Sequence, residues 1–172
     1  MAWEIAGEEY GVVTHAYSFS GHVQYGKNPV ILSNAELDEG FEHVQVASTT
    51  LKRPVTHIPN YTRNLLSRNW FQVKNADAIF AIGMIDSPTM VRGGTGWAVQ
   101  MALDNNKPVH VYDQKANSWA MYDYEWKMFV HHEETPVLTE NFAGIGTREI
   151  TDAGVEAISH IYEITFNRAG LW

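Results

Sequence analysis

Spacing of the apolar side chains divides the chain into stretches of helical period and short runs that are apolar throughout. Residues 2–10 have helical composition, and Gly11 follows where a helix would stop. Residues 12–19 read as a strand ending in the turn-rich Ser20-Gly21-His22. Between residues 21 and 60 the signals are mixed. Ser33-Asn34-Ala35-Glu36 has the serine and glutamate of a capped helix start, while Pro54 and Pro59 break up the stretch beyond it. Leu65, Leu66, Trp70 and Val73 fall at helical spacing and predict a helix over 61–74. The run Ala78–Gly83 is apolar without alternation, as in a strand buried on both faces. A loop through Pro88 leads to Gly93-Gly94-Thr95-Gly96, then a helical stretch over 97–105 and a second buried strand over 108–113. Strand, glycine turn, helix and strand make a βαβ unit, which requires a parallel pair. Residues 117–132 are rich in Trp and Tyr and show no clear period. Phe142 to Glu149 repeats the pattern of strand end and glycine turn before a helix over 151–166, with Val155, Ile158, Ile161 and Tyr162 on one face. The expected fold is α/β: a Rossmann-like three-layer sandwich around a mostly parallel sheet, in one domain spanning 1–172.

Composition narrows the function more than the fold. The 172 residues are 45% hydrophobic and 19% charged, as in ordinary globular chains. No cysteine is present, which excludes a disulfide framework, a zinc–thiolate site and a cysteine nucleophile. A net charge of −8 argues against nucleic acid as a partner, because neutralising its phosphates needs basic surface. Acids rather than basic residues precede any apolar run at the start, and no stretch is apolar enough to span a membrane, so a cytoplasmic setting without membrane contact is expected.

The chemistry expected of this chain lies in its two glycine turns. A helix start presents unpaired N–H groups and partial positive charge, and glycines let a phosphate approach the backbone. Gly93, Gly94, Thr95 and Gly96 suit that task, with the Thr95 hydroxyl as a further donor; a tight strand-to-helix connection without ligand is the plainer alternative. Other features carry less. His131-His132-Glu133-Glu134 reads as a solvated run rather than a metal site, and no metal or other cofactor is expected. His15 and His22 flank a strand end, where a structural role outweighs ligand contact, and Ser18, Ser20 and His22 lack a nucleophile elbow. Trp119, Tyr122, Tyr124 and Trp126 offer faces for a nucleobase or, with more weight, a dimer interface or packed flap. Lys27 and Arg53 could each reach a phosphate, Asp77 reads as structural, and Gly26-Lys27-Asn28 lacks the rest of a P-loop.

Arg68-Asn69-Trp70, the stretch from Asn75 to Gly83, Gly93-Gly94-Thr95-Gly96 and Lys107-Pro108-Val109 together resemble the SLOG superfamily over roughly residues 61–115. That group includes the Lonely Guy phosphoribohydrolases and the molybdenum-cofactor carrier proteins. Gly144-Ile145-Gly146-Thr147-Arg148 resembles the superfamily's first glycine turn. The resemblance implies a site for a nucleotide-like small molecule made by Gly83, Arg68, Gly93, Gly94, Thr95, Gly96, Gln100, Gly144, Gly146, Thr147 and Arg148, and it implies a homo-oligomer. Gln100 and Trp97 stand where the enzymes' signature has glutamate and threonine, and an amide cannot act as a general base. The implied function is therefore sensing or sequestration of a nucleotide-derived signal, such as a cyclic ADP-ribose-type molecule, of the kind found in viral and mobile-element proteins. The alternative is an N-glycosidic bond hydrolase or transferase drawing on Glu149 or Asp113 for its carboxylate. Because the Gly-Thr-Arg turn comes late in this chain, the resemblance also implies a circular permutation or a shuffled arrangement, with the superfamily's second strand reduced or lost.

Overall fold

A computed structural model describes residues 2–24 and 26–167. Its elements in chain order are α1 (Ala2–Glu9), β1 (Ala16–Phe19), β2 (Pro29–Leu32), α2 (Asn34–Leu51), α3 (Asn60–Lys74), β3 (Ala78–Gly83), β4 (Ile85–Ser87), β5 (Met90–Val91), α4 (Thr95–Asp104), β6 (Val109–Asp113), β7 (Ser118–Asp123), β8 (Met128–His132), β9 (Phe142–Ile145) and α5 (Asp152–Asn167). Sequence chemistry sets several of these boundaries. Gly11 adopts φ +68° just beyond α1. Ser33 accepts from the Glu36 amide while the Glu36 carboxylate accepts from Ser33 N, the reciprocal cap that opens α2.

The principal sheet has the strand order β8-β7-β6-β3-β9. β3 is parallel to both β6 and β9, whereas β6–β7 and β7–β8 are antiparallel. The sheet is thus mixed, which corrects the expectation of a mostly parallel one. The cause is the connection after β6. Instead of a helical crossover, the chain reverses within four residues, with the Ala116 amide bonded to the Asp113 carbonyl and Asn117 at φ +49°, so the next strand can only return antiparallel. A separate parallel pair joins β1 to β2, and β4 and β5 form a small hairpin where a plain loop was expected. The Gly144 strand, β9, lies inside the principal sheet and parallel to β3.

Two apolar clusters hold the molecule together. Ile79, Ala81, Val109, Val111 and Ala143 belong to a cluster with Val44, Trp70, Phe71 and Met101 from α2, α3 and α4. Their alternates along the strands, Phe80, Ile82 and Tyr112, belong to a second cluster with Trp3 of α1 and Ile158, Ile161 and Tyr162 of α5. This explains why β3 is apolar without alternation: both of its faces are covered. Tyr162 Oη donates to the Trp3 carbonyl at 3.1 Å, tying the last described helix to the first. Among the described residues no helix is long and apolar enough to cross a membrane.

Candidate functional site

β9 is an edge strand, and α1, the segment before β1 and the C-terminal half of α3 face a cleft beside it. The cleft is a cavity of about 740 Å³. Its wall includes Arg68, Gln72 and Asn75 from α3, Thr14, His15 and Tyr17 around β1, His22 beyond it, and Gly144, Gly146 and Thr147 from β9 and the turn after it. Residues almost eighty positions apart in sequence are brought to one wall because α3 packs against β1 while β9 joins β3.

Arg68 is the only Lys or Arg among the described residues lining this cavity. It is half-buried, and that burial holds its pKa below the usual arginine value, though a guanidinium stays charged at neutral pH. Its Nη1 donates to the Tyr17 carbonyl at 3.1 Å, whereas its buried Nε has no partner. Trp3, which also lines the cavity, has a buried and unpartnered Nε1. Unsatisfied buried donors are uncommon and costly, and here both belong to residues of the one cavity wall. His22 stacks on Phe19 with ring centroids 5.0 Å apart, and its Nδ1 lies 2.8 Å from Oγ of the fully buried Ser18. Burial first and the charge of Arg68 second lower the His22 pKa.

Ten of the eleven expected site residues divide into two neighbouring groups. Arg68, Gly144, Gly146 and Thr147 line the cavity. Gly83, Gly93, Gly94, Thr95, Gly96 and Gln100 belong to the end of β3 and the start of α4, outside it. Thr95 Oγ1 links the groups by donating to the Gly146 carbonyl at 3.0 Å. Arg148 is exposed and also lies outside the cavity wall. Gln100 is buried, and its Nε2 donates to Asp104 Oδ1 at 2.8 Å, one turn further along α4. The Gln100 amide is thus engaged inside its own helix.

The glycines differ in what they do. A Cβ on Gly96 would strike the Val91 carbonyl, and one on Gly144 would strike the Trp3 ring, so both are required by packing. Gly94 and Gly146 have open space in front of them, and Gly146 opens onto the cavity. Arg53 Nη1 donates to the Gly93 carbonyl at 2.9 Å, which fixes the turn from outside.

The remaining features have local partners. Asp77 Oδ2 accepts from the Asn141 amide, the strand-start role expected of it. Asp113, buried at the end of β6, accepts from the amides of Ile85 and Lys115 and lies 3.8 Å from His131 Nε2, while Ser118 Oγ is 2.9 Å from His131 Nδ1. Glu149 and Asp113 are both absent from the cavity wall, where the carboxylates are those of Glu4 and Glu140. Lys27 pairs with Glu8. None of Trp119, Tyr122, Tyr124 and Trp126 lines the cavity; Trp119 packs edge-on against Tyr112, and Tyr124 Oη donates to the Lys107 carbonyl. Among the described residues no group of three or more His, Asp or Glu could hold a metal.

Beyond the residues singled out from the sequence as a site, His22, Trp3, Thr14, Gln72 and Asn75 also line the cavity. Asn75 Nδ2 donates to Tyr17 Oη at 2.7 Å, which helps to fasten the end of α3 against β1. The position of His15 and His22 at a strand end was the sequence signal for this side of the cleft. Comparison with protein-family models, curated proteins and solved structures finds no match to the chain.

Proposed function

We propose that this protein binds a phosphate-bearing, nucleotide-derived small molecule in the cleft beside β9, and does so to sense or sequester it. The observation that carries this reading is the meeting of Arg68, with its unpartnered Nε, and the Gly144–Thr147 turn on one cavity wall. A guanidinium carries its N–H donors in the plane that phosphate oxygens prefer, and a glycine-lined turn lets the ligand come close to backbone. A volume of about 740 Å³ falls within the range of small-molecule sites. The carboxylates named for N-glycosidic cleavage, Glu149 and Asp113, lie outside the wall, so cleavage in this cleft would have to draw on Glu4 or Glu140 instead. A Rossmann-like ancestry of SLOG type, permutation included, belongs to this proposal. So do the homo-oligomer and the cytoplasmic setting.

The test is calorimetric titration of the intact protein with a panel of nucleotides, cyclic nucleotides and ADP-ribose derivatives. Arg68→Ala is expected to weaken whichever ligand binds by about 10²-fold, the worth of a charge-assisted contact. Gly146→Val should weaken it with little change in thermal stability, because that side chain would project into open space. A panel ligand that binds both variants as it binds the parent would place the site elsewhere.

A further inference from the structure

We propose that His22 is a second anion-holding group of this cleft and takes up a proton when a tetrahedral dianion, such as phosphate or sulfate, enters beside Arg68. The inference rests on the binding reading above and adds to it the charge state of the ligand and the origin of a pH dependence. Three observations support it. His22 and Arg68 line the same cavity and are near enough for the arginine charge to disfavour a second cation on the ring. The ring is held by stacking on Phe19, and Tyr61 of α3 packs edge-on against Phe19 with its own ring 6.3 Å from that of His22. Its Nδ1 is taken by Ser18 Oγ, so Nε2 is the nitrogen left to address a ligand.

Ser18 suits a histidine that changes protonation. A hydroxyl can donate to a neutral imidazole nitrogen and, after rotating, accept from an imidazolium N–H, so the anchor survives either state. The surrounding charges set the sign. From α3 the ring faces Arg68 and Tyr61, and from β1 Ser18 and Phe19, while Tyr17 of β1 lines the same cavity. His15, Glu4 and Glu140 share the wider cavity. In the ligand-free cleft burial and Arg68 both disfavour the imidazolium. A dianion placed between the two groups neutralises the arginine and supplies the counter-charge, so the bound form gains a proton that the free form lacks. Affinity for the dianion accordingly rises as pH falls through the bound-state pKa.

Sulfate is the probe, because it does not titrate in this range. In the intact, isotopically labelled protein, the His22 Cε1–H resonance, assigned by its loss in His22→Gln, is followed between about pH 5 and 8. Sodium sulfate is compared with sodium chloride at equal ionic strength, and the Arg68 Nε–H resonance is read in the same samples. The expected result is an upward move of the His22 midpoint by about half a pH unit or more in sulfate. Arg68→Gln should abolish the move. A shifted Arg68 Nε–H with an unmoved His22 midpoint would overturn the role of His22 and leave the anion site standing. If neither resonance responds, the anion site falls, and this inference with it.

Discussion

His110 shows how one side chain sets a pH limit on the fold. It lies flat on Phe80, with centroids 4.9 Å apart, has a buried Nδ1 without a partner, and faces His132 edge-on at 6.4 Å. Burial first, and His132 second, bring its pKa down to about 4 from 6.5. A histidine that resists protonation only when folded contributes stability that is intact above pH 6.5 and is lost as pH falls toward 4. The loss is on the order of 3 kcal/mol, and chemical denaturation at neutral pH and near pH 5 will show part of it. His110→Phe should keep the stack and flatten that dependence. Glycine positions give a paired test at the same scale. Gly144→Ala should destabilise by about 1–3 kcal/mol through collision with Trp3, in contrast to the nearly neutral Gly146→Val.

Individual elements were legible where local chemistry decided them. The capping box of α2, the spacing in α3 and the twice-covered β3 all formed as the sequence implies. Ser33→Ala is expected to cost about 1 kcal/mol, measurable as a lowered unfolding midpoint. The β7–β8 hairpin escaped notice because its burial does not alternate: Trp119 and Ala120 are successive and both buried, one on each face of the sheet, while Met121 beyond them is exposed. No period can report a strand covered at one end and open at the other. The cleft was half legible. Arg68 and the Gly144 turn could be read from residue type, but the wall opposite is made by the segment before β1, whose approach depends on tertiary contacts with α3.

For the molecule as a whole, the decisive arrangement is that α1 rests on elements from the far end of the chain. Trp3 fills the space left by Gly144, stands 6.1 Å from the Tyr162 ring, and receives the Tyr162 hydroxyl on its carbonyl. It also forms part of the cavity wall. Deleting residues 2–9 should therefore remove ligand binding together with thermal stability, and the truncated protein should bind an apolar dye through the uncovered faces of Ile158 and Tyr162. Synthesis on the ribosome meets the same arrangement in time. At about 5–20 residues per second, the 159 positions separating Trp3 from Tyr162 correspond to roughly ten to thirty seconds. Throughout that interval the emerging first helix carries its indole with no docking surface yet made, and a chaperone that shields short apolar segments would find its client there.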